Sequence, residues 1–167
     1  MSVQNPKEVF VRILSDLRES TERSTKFYQE LGQAANDPDI KEAMEARAFV
    51  AEKDLATLDQ VFKNIGEKPV KGNARLQETM VEDFRKELAE IQNPKAKVLY
   101  ILMKANHLAH LRLAEYGVLV AASDISGHYG VGALLESAMS DKLSFIERNR
   151  RFIRNRFEHR MEHRAAA

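Results

Sequence analysis

Apolar residues recur at helical spacing along four long stretches of the chain and one short stretch between the second and the third. The stripe runs from Phe10 to Leu31 in the first stretch and from Ile40 to Phe62 in the second, in steps of three and four residues. No stretch has the alternation of apolar and polar residues that a strand requires. The pattern therefore predicts five helices, over about residues 6–35, 38–66, 74–90 and 94–125, and from about residue 131 to beyond Phe157.

Start and stop signals support these boundaries. Asn5-Pro6 and Asn93-Pro94 each combine a capping side chain with a proline suited to the first helical turn. Asp37 or Asp39 can cap the second helix, and the segment SGHYG at 126–130 turns the chain before the last helix.

The lengths of the connections predict how the helices are arranged. About four residues join the first long helix to the second, and a similarly short turn joins the third to the fourth, so each pair should be antiparallel. Nearly thirty residues, including the short helix, separate the second from the third, and such a crossover lets these two helices run parallel. The expected fold is all-α: a ferritin-like antiparallel four-helix bundle, with a long crossover containing a short extra helix. Residues 1–167 should form one domain.

Composition narrows the class of protein. The 167 residues are 44% apolar and 31% charged, with a formal charge of +1 and no cysteine. A disulfide scaffold and a thiolate metal site are therefore excluded. No apolar run approaches the roughly 18 residues of a membrane span, and the N-terminus lacks the pattern of a signal peptide. We expect a cytoplasmic protein without a membrane partner.

The polar residues inside the bundle decide whether the protein is an enzyme. A di-iron site in such a bundle takes a Glu from each of two helices and a Glu-x-x-His from each of the others. His107 and His110 are three residues apart on the third long helix, but carboxylates are scarce at the inward positions. A histidine in this setting most often bonds a neighbouring side chain or a backbone carbonyl. Two divalent ions need about six protein ligands, and the best candidates here are Glu52, His107, His110 and Asp141.

Four segments in register resemble the bacterial YciE/YciF family of small, stress-associated ferritin-like proteins. The segments are EVFVRILSDLRE, LDQVF, HLRLAEYG and LLESAMSDK, and the resemblance covers about residues 6–150. It implies a ferritin-like fold with a di-iron site in typical members.

The resemblance also implies where the ligands of that site would fall. Placed without gaps, the family's ligand positions correspond to Thr21, to Phe49 and Glu52, to Ala109 and His110, and to Ser137, Ser140 and Asp141. Only His110 retains the expected residue, so the resemblance implies the fold together with a lost di-iron site. The remnant candidates are Glu22 (as a ligand shifted by one residue), Glu52, His110 and Asp141.

The C-terminal helix ends in a basic tail, at about residues 148–164. From Arg148 it holds seven Arg and two His against two Glu, with Ile153, Phe157 and Met161 on one edge. Such a segment can bind an anionic partner. Because aromatic residues are few and the whole protein is nearly neutral, specific recognition of nucleic acid is not favoured. The apolar edge extends beyond the expected bundle and predicts a homodimer.

These observations predict a non-catalytic structural or stress-associated protein that has lost most di-iron ligands and needs no cofactor. One alternative is a di-metal oxidase or storage protein that binds iron or manganese through Glu22, Glu52, His110 and Asp141. Another is an anion- or nucleic-acid-binding helical protein that acts through its basic tail.

Overall fold

The computed structural model describes residues 4–158, and these fold into five helices without a strand. The all-α architecture is as predicted, and the helix boundaries predicted within the described residues agree with the observed ones to within two residues. The helices are α1 (Pro6–Ala35), α2 (Pro38–Asn64), α3 (Arg75–Glu90), α4 (Pro94–Ile125) and α5 (Tyr129–Glu158).

A capping side chain followed by proline begins three of the helices. Side-chain oxygens of Asn5, Asp37 and Asn93 accept hydrogen bonds from backbone N–H groups in the first turn of α1, α2 and α4. Each cap stabilises its helix by about 1 kcal/mol. The proline that follows removes an N–H group that would have no partner inside the helix.

The four long helices pack as two antiparallel hairpins. α1 lies against α2 and α4 lies against α5, while α1 also contacts α4 and α2 contacts α5. Residues with left-handed backbone conformation close both hairpins, namely Asn36 at φ 48° and Gly127 at φ 74°. Glycine adopts that conformation without steric cost.

Residues 65–93 form the crossover, and they follow α1 in its own direction. Near the start of α1, the backbone N–H of Val70 donates to Ser15 Oγ at 3.1 Å. Closer to its end, Arg85 Nε donates to Glu30 Oε1 at 2.7 Å. The crossover therefore returns the chain along the bundle, so that α4 runs parallel to α2. This is the predicted arrangement.

An aromatic residue provides the buried apolar anchor of the short helix α3 on the bundle. Phe84 is fully buried, packs edge-on against Phe27 of α1 at 5.2 Å between ring centroids, and stacks on Tyr100 of α4 at 5.7 Å. Leu76, two helical turns before Phe84, is exposed.

The core consists of two apolar clusters. One includes Leu31, Ile40 and Ile101, at the end of the bundle where α1 finishes. The other, around Leu14 and Leu58, lies at the opposite end. None of the helices described within residues 4–158 is long and apolar enough to cross a membrane.

Candidate functional site

Four charged side chains are buried in the middle of the bundle, and we call them the charged layer. They are Arg47 and Asp54 on α2, Arg112 on α4 and Lys142 on α5, none more than 4% exposed. Removing an ionised group from water costs several kcal/mol unless it is paired and hydrogen-bonded. The partners of these groups therefore decide what the layer does.

Asp54 provides the carboxylate that faces two of the cations. Its Oδ2 accepts a hydrogen bond from the Lys142 ammonium group and lies 3.9 Å from Nη2 of Arg47. Lys142 Nζ also sits 4.4 Å from the centroid of the Tyr116 ring. These contacts join α2, α4 and α5 across the interior.

Arg47 is held between two aromatic rings. Its guanidinium carbon lies 5.5 Å from the Tyr28 ring centroid and 5.2 Å from that of Phe145. A desolvated cation over an aromatic face gains about 2 kcal/mol. The rings thus supply part of the stabilisation that a second carboxylate would otherwise give.

Arg112 has its own set of partners. Its two terminal nitrogens donate to Glu115 on the same helix and to Gln77 of α3. The amide of Gln77 in turn donates to Ser24 Oγ of α1 at 3.3 Å. This chain of hydrogen bonds ties α4 to the crossover helix and to α1.

Burial changes the titration of two groups in this region. It lowers the pKa of Lys142 to about 8, because desolvation outweighs the attraction of Asp54. It raises the pKa of the Tyr116 phenol, and the nearby Asp54 adds to that rise. Lys142 is therefore a cation at neutral pH that gives up its proton easily, and Tyr116 stays neutral.

The charged layer does not fit a pair of divalent cations. It holds three cationic side chains against Asp54 and the partly exposed Glu115. Two buried N–H groups without a protein partner, the Nε of Arg47 and that of Arg112, are donors and cannot ligate a metal. Across residues 4–158, no cluster of three His, Asp or Glu side chains is arranged to hold a metal ion.

The residues proposed as remnants of a metal site lie apart from this layer. Glu22, Glu52 and His110 are exposed, and Asp141 is only partly buried. Glu22 faces Arg18 at 3.6 Å. The Nδ1 of His110 lies 2.9 Å from the backbone carbonyl of Asn106, the kind of local bond expected for a histidine here. The structure does not bring the four candidates together.

The positions expected to face inward divide into two groups. Thr21 and Ala109 are buried. The inward assignment of Phe49, Ser137 and Ser140 is wrong, because Phe49 is 70% exposed and both serines face solvent. On three helices the buried charged residue lies one or two positions after the expected one: Asp54 rather than Glu52, Arg112 rather than His110, and Lys142 rather than Asp141. A shift of one residue turns a side chain by about 100° around a helix, and a shift of two turns it by about 200°.

Comparison with known families identifies the family of this chain. The model of the family DUF892, a domain of unknown function, matches residues 5–147. The chain belongs to the DUF892 family. A relative among curated proteins is Protein YciF of Escherichia coli strain K12, which is 18% identical over 143 residues, or 85% of this chain and 86% of that protein.

Two solved structures share the fold of this DUF892 protein. One is the Escherichia coli stress protein YciF, with a TM-score of 0.85 and 18% identity over 92% of this chain and 98% of that one. The other is YcfI of Rhodopseudomonas palustris, provisionally described as a structural protein. Its TM-score is 0.85, and it is 21% identical over 89% of this chain and 95% of that one. The resemblance to the YciE/YciF family is thereby confirmed.

Sequence reasoning missed the charged layer of this family member. Lys142 continues the inward steps of three and four residues that run through Leu135, Ala138 and Ile146. A lysine on such a stripe, together with Asp54 on the stripe of another helix, was the available signal.

The described part of the basic tail, which forms the last turns of α5, packs against the bundle of this DUF892 protein. Arg156 binds the carboxylates of Asp37 and Asp39 at the start of α2. Phe157 is partly buried against the apolar cluster at the end of α1, so the expectation that it projects beyond the bundle was wrong. Met161 and the rest of the predicted tail lie outside the described residues.

Proposed function

We propose that this protein is a non-catalytic DUF892 member, in which side chains of the chain itself supply the positive charge that a di-iron centre supplies in ferritin-like bundles. The charged layer is the observation that supports this. A di-iron site draws carboxylates from four helices, whereas here Asp54 faces Lys142 and Arg47. A divalent ion near Asp54 would be repelled by both cations.

The role that suits such an interior is structural. The Asp54–Lys142 pair links α2 to α5, and the bonds of Arg112 through Gln77 link α4 to α3 and α1. Buried pairs of this kind disfavour other helix registers, because any slip would leave a charge unpaired. The bundle would then keep its shape without a cofactor.

The relatives supply the biological setting of the proposal. YciF is described as a stress protein, and YcfI carries the provisional description of a structural protein. We place this chain in the same role, as a cytoplasmic, stress-associated structural protein that works as a homodimer. The oxidase or storage alternative has no comparable support, because Glu22, Glu52 and His110 face solvent.

Metal analysis tests the proposal. Protein expressed with added iron and manganese should retain well under one equivalent of either metal per chain, and it should not oxidise ferrous iron faster than buffer. The matched control is the variant Glu52→Gln/His110→Gln, which removes two of the alternative's ligands and should give the same metal content. Two tightly bound ions per wild-type chain, lost in that variant, would establish the alternative instead.

An anion-binding role for the tail is the second candidate. Arg148 and Arg151 are exposed on the last turns of α5. Arginines on one segment favour a phosphate-bearing or acidic partner. Affinity for heparin resin or for polyphosphate should then fall steeply as salt rises, and Arg148→Gln/Arg151→Gln should weaken it. Equal retention of the variant and the wild type would rule out this role.

A further inference from the structure

The outward face of α4 carries a stripe of apolar and histidine residues that nothing in the described chain covers. Its residues, which we call the α4 seam, all lie within about 80° around the helix at 100° per residue. Met103 is 46% exposed, Val118 57% and Ile125 88%. The full set, all exposed, is Met103, His107, His110, Ala114, Val118, Ala121 and Ile125.

The spacing along the α4 seam is the same in both directions. The steps are four, three, four, four, three and four residues, with Ala114 at the centre. The steps repeat every eleven residues, so the stripe stays on one face of a nearly straight helix. A two-fold axis at Ala114 would therefore place every seam position opposite another seam position.

That axis also matches the sizes of the facing residues. Ile125 would lie opposite Met103, Ala121 opposite His107, and Val118 opposite His110. Ala114 would meet its own copy, and a small residue there permits close approach of the two helix backbones. A surface that complements itself in this way is what a two-fold dimer requires.

The charges of the seam fit a second copy of the same chain. Residues near a two-fold axis face their own kind, so an acidic or basic residue at the centre would be repelled by its copy. The seam contains no Asp, Glu, Lys or Arg along its whole length. The outer face of α2, by contrast, exposes Glu42, Glu45 and Lys53.

The area of the seam is that of a weak dimer. The seam spans about 33 Å along the helix, and a third of the girth of a helix about 12 Å across gives roughly 400 Å² per subunit. Two copies would bury about 800 Å² through the seam alone, somewhat less than the roughly 1,000 Å² of a stable specific interface. At one end, Val9 and Ile13 of α1 share a groove with Val118 and extend the apolar surface.

We propose that the α4 seam is a homodimer interface, in which α4 of one copy packs antiparallel against α4 of a second about a two-fold axis at Ala114. This inference rests on the homodimer of the proposed function and adds the surface and its register. The small area predicts a weak dimer that forms and dissociates with protein concentration.

Because the chain has no cysteine, introduced cysteines give an unambiguous test. Under mild oxidation of the full chain, Ala114→Cys should form a disulfide-linked dimer, since the two copies would face each other on the axis. Ala121→Cys is the matched control. It is exposed on the same stripe, but its two copies would be about 21 Å apart in this register. It should remain monomeric on non-reducing gels.

A mixing experiment then fixes the register. His107→Cys alone should not cross-link, whereas an equimolar mixture with Ala121→Cys should give the mixed disulfide. Light scattering on the unmodified protein tests whether the chain dimerises, separately from whether the α4 seam is the interface. A dimer without the Ala114 disulfide would overturn the seam and leave the homodimer standing, whereas a monomer at 100 μM would overturn both.

Discussion

The middle of the bundle and the outward face of α4 reverse the usual distribution of residues. Four charged side chains are buried at the centre, whereas the seam exposes seven residues that include no Asp, Glu, Lys or Arg. The buried charges have partners within the chain: Asp54 and the Tyr116 ring for Lys142, and Gln77 and Glu115 for Arg112. The apolar face has no such partner among residues 4–158. The first reversal therefore indicates an internal structural role, and the second indicates a contact with another molecule.

Removing the central carboxylate, that of Asp54, should have the largest effect on stability. Asp54→Ala would leave Lys142 and Arg47 buried beside each other without a counter-charge, and we expect a loss of about 3–5 kcal/mol in the free energy of unfolding. Urea denaturation followed by circular dichroism measures it. Glu52→Ala, at an exposed site on the same helix, should change stability by less than about 0.5 kcal/mol. Similar losses in both variants would mean that the pairing at the centre is unimportant.

A glutamate introduced into the core should affect folding, whereas a glutamate introduced into the seam should affect dimerisation. Thr21 is buried, and its hydroxyl donates to the carbonyl of Leu17 at 2.7 Å. Thr21→Glu should lower the free energy of unfolding by roughly 1–3 kcal/mol. Ala114→Glu should leave the unfolding of the monomer unchanged within about 0.5 kcal/mol and weaken dimerisation at least tenfold. If Thr21→Glu stabilised the fold, the account of the interior would be contradicted. If Ala114→Glu dimerised as strongly as the wild type, the account of the seam would be contradicted.

The pH dependence of stability should report on Lys142. The pKa of this lysine is about 8 in the folded chain against an ordinary value of 10.5. Between these values the unfolded chain binds more protons than the folded one, so stability rises with pH. From pH 7.5 to 9.5 the free energy of unfolding should increase by about 2 kcal/mol. Lys142→Met should remove this rise, and a wild-type curve that is flat over the interval would show that the ammonium is not desolvated.

The fold could be predicted because its signals are local. A capping residue and a proline mark the start of α1, α2 and α4, and the length of the crossover gives the topology. The charged layer could not be predicted in the same way. Asp54 and Lys142 are 88 residues apart, and charged residues are ordinarily assigned to the solvent face of a helix. Nothing local indicates that each of them compensates the other.

The inward positions were misplaced for a related reason. The ligand positions implied by the resemblance were placed without gaps, and helices turn side chains through 100° per residue. A slip of two residues thus exchanged the buried Asp54 for the exposed Glu52. Only the apolar stripe of each helix, followed position by position, could have fixed the register, and in α4 that stripe was obscured because its outward face is also apolar.

The free energy of unfolding with and without Mn²⁺ tests the central claim most directly, that the interior charge belongs to the chain itself. A ligand present at one hundred times its dissociation constant stabilises the folded state by about 2.7 kcal/mol. We predict that 100 μM Mn²⁺ and a chelator give the same free energy of unfolding, within about 0.3 kcal/mol, far less than that shift. A stabilisation by Mn²⁺ of about 2 kcal/mol or more, abolished by the chelator, would place a metal site in the folded protein and contradict the account.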